Sequence, residues 1–98
     1  MYKIMIVEDD QIIASALKNH LAKWAFDVFC VTDFKDIIGQ FAEYSPDLVL
    51  LDIMLPYNNG FYWCSELRRI SSVPVIFISS ASDNMNIVMA MNMGGDDF

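Results

Sequence analysis

Carboxylates stand directly after two short apolar runs of the sequence. Glu8, Asp9 and Asp10 follow the run at 4–7, and Asp52 ends the run that begins at residue 48. Clustered carboxylates repel one another, so near neutral pH they either take up protons or hold a cation. Oxygen donors without histidine or cysteine favour Mg²⁺ over zinc, and a carboxylate beside such an ion can act as a nucleophile towards phosphorus. The acids therefore indicate a cation site with phosphoryl chemistry.

Each of these residues also has a simpler explanation. Acids suit the positive end of a helix dipole, so Asp10 is expected to cap a helix. Asp52 alone would be read as a loop or capping aspartate, and Ser79, which follows the apolar run at 75–78, as a strand-end serine. The functional interpretation depends on whether the fold brings these residues together.

Four strand-and-helix repeats are predicted. Short apolar runs predict strands at 3–7, 27–31, 48–52 and 75–78. Apolar residues at helical spacing predict helices between the strands and after the last one, the fourth ending at Gly94-Gly95. The expected buried helix residues are Ile12, Ile13, Ala16, Leu17, Leu21 and Trp24, then Ile37, Ile38, Phe41 and Ala42, then Phe61, Cys64, Leu67 and Ile70. Thr32-Asp33 is the expected cap of the second helix, and Tyr62 and Trp63 are expected to be half exposed.

This alternation predicts an α/β fold, a doubly wound parallel sheet with helices on both faces. The strand order 2-1-3-4 would bring the carboxyl ends of the first, third and fourth strands to one edge. Open α/β sheets place their ligand crevice at such an edge. Glu8, Asp9, Asp52 and Ser79 are then expected to meet there.

The length, charge and composition of the chain reduce the number of functions to consider. A chain of 98 residues allows one domain, and a net charge of −7 argues against a nucleic-acid surface on it. Cys30 and Cys64 form no metal motif and are expected to be reduced core residues. No run is long enough to span a membrane and no signal peptide is evident, so a cytoplasmic protein is expected.

The chain resembles the receiver domain of bacterial two-component response regulators. The matching segments are 4–10, 50–56 with Gly60, 73–80 and 94–98, in order and at family spacing. Residues 94–98 most resemble the OmpR/PhoB-like branch, whose receivers precede a winged-helix DNA-binding domain. Within that branch, residues 56–64 resemble regulators of antimicrobial-peptide resistance in Gram-positive bacteria.

The resemblance implies a flavodoxin-like receiver fold and a phosphorylation-dependent signalling function. Asp52 would be the phosphoacceptor, and Mg²⁺ would be held by Glu8, Asp9, Asp52 and the backbone carbonyl of Met54. Ser79 takes the place of the switch hydroxyl. The partner would be a sensor histidine kinase, and the chain would catalyse only its own phosphoryl transfer and dephosphorylation.

One departure from the family pattern concerns the end of the chain. Family receivers continue into a fifth strand, which carries an aromatic switch residue, then a turn with a lysine, then a fifth helix, and the sequence ends at Phe98 before all of these. We therefore expect residues 1–98 to form a receiver incomplete at its carboxyl end, with any DNA contact made by a domain outside this chain. A fourth strand left at the sheet edge would favour self-association, including dimers.

Two other function classes remain open at this level. An aspartyl-phosphate hydrolase also uses a strand-end aspartate with Mg²⁺, but that class needs a second aspartate two residues on, where this chain has Met54. A receiver-like interaction module that works without phosphorylation would normally lack part of the acid set, which this chain keeps. Labelling with a small phosphodonor separates these classes.

Overall fold

A parallel sheet with three surrounding helices makes up the part of the protein that the structure describes, residues 1–78 of a computed structural model. Its strands are β1 (Lys3–Val7), β2 (Asp27–Cys30), β3 (Leu48–Asp52) and β4 (Val75–Ile78). The spatial order is β2-β1-β3-β4, which confirms the predicted order and the α/β class. The strand predictions were accurate, except that β2 ends at Cys30 rather than Val31.

β3 lies between β1 and β4, so it is covered along both hydrogen-bonding edges. Val7 of β1 is in register with Leu51, and Ile78 of β4 is in register with Asp52. The continuous apolar sequence of β3 suits a strand covered by helices as well as by neighbouring strands. The carboxyl ends of β1, β3 and β4 consequently form one edge, where Asp52 is the last strand residue.

The helices are α1 (Gln11–Ala22), α2 (Ile37–Tyr44) and α3 (Gly60–Ile70). Alternate residues of a strand point to opposite faces, and two apolar clusters follow from this. On one face Ile4 and Ile6 pack with Ala14 of α1. On the other, the larger cluster joins Met5 and Val7 to residues of α2 and α3.

Side-chain caps fix where the helices begin. Asp10 caps α1, Asp36 caps α2 and Asn59 caps α3, each accepting backbone N–H bonds from the first turn. The predicted cap Thr32-Asp33 is wrong, because α2 begins later, at Ile37. These two residues instead lie in a loop that is tied to Gln40 of α2.

The burial predicted from helical spacing is wrong for several residues. Ile12, Trp24 and Ile70 are exposed, whereas Trp63 is only 5% exposed although half-exposure was expected. Trp63 is buried because it joins the cluster shared with α2, a neighbour that the spacing of α3 does not reveal. Ala42 and Ala16 are likewise exposed.

None of the three helices in residues 1–78 is long and apolar enough to cross a membrane. The predicted fourth helix, Ser79, Ser80 and Gly94-Gly95 lie outside the described residues.

Candidate functional site

Three carboxylates converge at the carboxyl edge of the sheet. Glu8 and Asp9 leave β1, and Asp52 is the last residue of the adjacent strand β3. One carboxylate oxygen from each of these residues lies within 4.8 Å of the others. The fold thus brings together three of the residues selected from the sequence.

Asp10 belongs to the same acidic run but has a different role. Its Oδ1 accepts N–H bonds from Ile12 at 2.9 Å and from Ile13 at 3.4 Å, and so caps α1. Its own backbone N–H donates to Oε2 of Glu8 at 3.1 Å. Asp10 therefore begins α1 and orients Glu8.

Asp52 is the most buried member of the cluster, with 8% of its surface exposed. This burial raises the pKa of Asp52, and the charge of Asp9 raises it further. Hydrogen bonds from Glu8 and from the backbone amides of Met54 and Ile53 lower the pKa and so oppose the rise. The carboxylate is therefore desolvated yet well supplied with hydrogen-bond donors.

The pKa of Glu8 is raised as well. Burial is the largest cause that raises the pKa of Glu8 to about 7, and the neighbouring charge of Asp52 adds to the rise. The N–H of Asp10 works against the rise by stabilising the ionised form. Glu8 and Asp52 therefore do not titrate independently, and a protonated Glu8 donates its hydrogen bond to Asp52.

The donor set suits a hard divalent cation. All three side chains offer oxygen ligands, which is the chemistry that Mg²⁺ prefers. Burial is the main cause that raises the pKa values of Glu8 and Asp52, and the neighbouring negative charges of the cluster add to the rise. A cation bound among the three carboxylates would reduce the repulsion between their negative charges.

An open cleft of about 370 Å³ lies over the carboxylates. It is lined by Glu8, Asp10, Ile13, Leu17, Asp52, Met54 and Ile78. Met54, chosen from the sequence for its carbonyl, is thus beside the acids, and its side chain is 70% exposed. The apolar wall formed by Ile13, Leu17 and Ile78 was not predicted, since Ile13 and Leu17 were assigned to the core.

The loop after Asp52 is closed at its base by a glycine. The N–H of Gly60 donates to the carbonyl of Ile53 at 2.8 Å. A β-carbon at Gly60 would overlap the backbone carbonyl of Asp52 and come within 2.9 Å of Cα of Ile53. Gly60 therefore allows α3 to begin directly against the backbone of the strand-end aspartate.

Comparisons with known proteins give the family of the chain. Residues 4–98 match the family model described as response regulator receiver domain. The "Uncharacterized transcriptional regulatory protein YvcP" of Bacillus subtilis (strain 168) is 53% identical over the whole chain, which covers 41% of that relative. The chain therefore spans less than half the length of this curated relative.

Two solved structures are also close. The N-terminal domain of the nisin resistance regulator NsrR, a lantibiotic response regulator, is 53% identical with a TM-score of 0.90, covering 100% of this chain and 83% of that one. The BeF3-activated receiver domain of Klebsiella pneumoniae RstA is 35% identical with a TM-score of 0.93, covering 97% of this chain and 81% of that one. The chain belongs to the response regulator receiver domain family.

Proposed function

We propose that the chain accepts a phosphoryl group on Asp52 from a sensor histidine kinase, with Mg²⁺ held by Glu8, Asp9, Asp52 and the backbone carbonyl of Met54. The observation that carries this proposal is the convergence of three carboxylates within 4.8 Å around a buried strand-end aspartate. Family membership supports the same assignment.

Asp52 supplies the nucleophile. One of its carboxylate oxygens attacks phosphorus while the phosphorus–nitrogen bond of the phosphohistidine breaks, and the bonding pair leaves with the imidazole nitrogen. The product is an acyl phosphate on Asp52 and an unmodified histidine. The amides of Ile53 and Met54, which hydrogen-bond to the carboxylate, orient it for attack.

The roles of the other acidic residues follow from the balance of charge at the site. When bound, Mg²⁺ neutralises negative charge on the transferring group. Glu8 and Asp9 hold a cation at this edge without themselves reacting, and Asp10 keeps Glu8 in place through its backbone N–H. The cleft above the carboxylates leaves room for the donor to approach.

Ser79, which lies outside the described residues, is proposed to hydrogen-bond to the new phosphoryl group. The added charge then shifts the receiver between two conformations. Beyond this, the chain is proposed to catalyse only the transfer to, and the loss of phosphate from, its own Asp52.

The signal is proposed to reach a winged-helix DNA-binding domain in the whole protein, in the cytoplasm. Two relatives, a transcriptional regulatory protein and a lantibiotic response regulator, support this destination. The net charge of −7 on the present chain supports a DNA contact made elsewhere. Self-association of receivers is proposed as part of the output.

The test is phosphorylation by a small acyl phosphate in the presence of Mg²⁺, followed by intact-mass measurement. The parent should gain one phosphoryl group and Asp52→Asn should gain none. Asp10→Asn is the matched control, because it makes the same chemical change in the acidic run and asparagine caps helices as well as aspartate does. A full mass gain in Asp52→Asn would refute the assignment.

A further inference from the structure

The loop that follows Asp52 contains a strained turn. Tyr57 has φ of 69°, and the N–H of Asn58 donates across it to the carbonyl of Pro56 at 2.9 Å. A hydrogen bond between residues i and i+2 around a positive φ defines a γ-turn of the rare, strained kind. Strain of this sort persists only where the surroundings hold it, and it is concentrated at functional sites.

The side chain at the centre of this turn contacts a residue of a different loop. Nζ of Lys35 lies 5.1 Å from the ring centroid of Tyr57, within the range of a cation–π interaction. Tyr57 is 70% exposed with this contact in place, so the contact is not a consequence of core packing. The two residues connect the loop between β2 and α2 to the loop between β3 and α3.

Lys35 lies in a loop that is held by several hydrogen bonds. Its backbone N–H donates to Oδ1 of Asp33 at 3.0 Å. The side-chain amide of Gln40 donates to the carbonyls of Asp33 and Asp36 at 2.7 Å each, and its oxygen accepts from the N–H of Thr32 at 3.0 Å. The backbone that carries Lys35 is therefore held by several hydrogen bonds, and its side chain reaches from this backbone to the loop that contains Tyr57.

The restrained loop is the one that contains Met54. One hydrogen bond, from the N–H of Gly60 to the carbonyl of Ile53, closes the base of this loop. Further along the loop, Lys35 contacts the ring of Tyr57. Met54 lies between these two fixed points and lines the cleft above the carboxylates. A shift of Tyr57 would therefore be transmitted along a short segment to the peptide group of Met54.

We propose that Lys35 and Tyr57 are positioning residues that hold the loop after Asp52 in the conformation needed for divalent-cation binding. This inference rests on the proposed function, because it assigns the Met54 carbonyl to the cation. It also predicts a change in cation affinity that is opposite in sign to the change expected from simple electrostatics. Removing a positive charge near an acidic cluster should tighten cation binding, whereas loss of the restraint should weaken it.

The experiment is an NMR titration with MgCl₂ alone, following the amide signals of Asp9 and Met54. Tyr57→Leu removes the ring without changing charge, and Tyr57→Phe keeps the ring. Lys35→Gln removes the cation and Lys35→Arg keeps it. We expect the Mg²⁺ dissociation constant to rise about two- to fivefold in Tyr57→Leu and Lys35→Gln, the size of an exposed cation–π contact, and to stay at the parental value in the two conservative variants.

Two further measurements separate positioning from a purely structural role. The ring current of Tyr57 should shift the Lys35 side-chain protons upfield in the parent and in Tyr57→Phe but not in Tyr57→Leu. Lys23→Gln, an exposed lysine at the far end of α1, should leave Mg²⁺ affinity unchanged. Variants that lose unfolding free energy but bind Mg²⁺ like the parent would overturn the positioning role.

The outcomes also distinguish this inference from the proposed function. A parent that binds Mg²⁺ while Lys35→Gln binds it equally or more tightly would refute the positioning role alone. A parent that binds no Mg²⁺ would refute the metal site itself, and the positioning role with it.

Discussion

The metal-free protein should lose stability as the pH rises through neutrality, and Glu8 should be a main cause. The folded structure raises the pKa of Glu8 from 4.5 to about 7, chiefly through burial and then through the charge of Asp52. A folded-state pKa above the unfolded value means that the native state binds more protons between these limits. The resulting stability is fully present below pH 4.5 and is lost as the pH rises through 7.

The size of this loss of unfolding free energy follows from the two pKa values of Glu8. At 1.36 kcal/mol per pH unit, the rise from 4.5 to about 7 corresponds to at most about 3.4 kcal/mol. Glu8 is partly exposed, so solvent screening reduces the expected contribution to roughly 1–2 kcal/mol. The pKa of Asp52 is also raised, which adds to the loss in the same direction.

Urea unfolding in EDTA across pH 5 to 8 (about the range in which Glu8 should titrate) measures this loss. Glu8→Gln should show a shallower decline than the parent, and excess Mg²⁺ should flatten the parental curve by favouring the ionised carboxylates. Glu43→Gln is the matched control, because it makes the same change on the exposed surface of α2. Because Glu8→Gln shares every other titratable group with the parent, the difference between their curves isolates Glu8.

Two results would refute the reasoning. The first is a parental stability that is flat or rises over this range in EDTA. The second is a Glu8→Gln curve with the parental slope, which would show that Glu8 does not take up the proton.

Three more predictions follow from the site and the sheet. Excess Mg²⁺ at about ten times its dissociation constant should stabilise the parent by roughly 1.4 kcal/mol in thermal melts, and equal gains in Asp9→Asn would contradict the ligand assignment. Gly60→Ala should cost about 1–3 kcal/mol because its methyl group meets the strand backbone, whereas Gly39→Ala should cost less because it meets only the side chain of Asp36, whose displacement weakens one helix cap. β4 is an apolar edge strand within residues 1–78, so light scattering should detect self-association at micromolar concentration; a monomer over a wide dilution range would contradict this.

Much of the sheet and of the acid cluster could be predicted because local sequence encodes them. An uninterrupted aliphatic run ending in Asp52 indicates a buried strand with a carboxylate at its end. Parallel topology then places Glu8 and Asp9 beside it. Ser79 and the assigned role of the Met54 carbonyl remain predictions.

The features that could not be predicted depend on contacts between distant segments. Ile13 lines the cleft because the Asp10 cap sets the direction in which α1 leaves β1, and helical spacing alone does not contain that angle. Trp63 is buried through the neighbouring helix α2. The contact between Lys35 and Tyr57 joins two loops whose separation in sequence gives no signal.

The interior position of β1 has a consequence for how the chain folds. Ile4 is in register with Val28 on one side and with Leu48 on the other, so the first strand needs partners that are made much later. Parallel neighbours cannot form by a tight hairpin, and such non-local pairing slows folding. During synthesis β1 therefore keeps an unpaired edge until β3 has left the ribosome. The carboxylates of the site can assemble only after that step, so completion of the sheet and formation of the site belong to the same folding event.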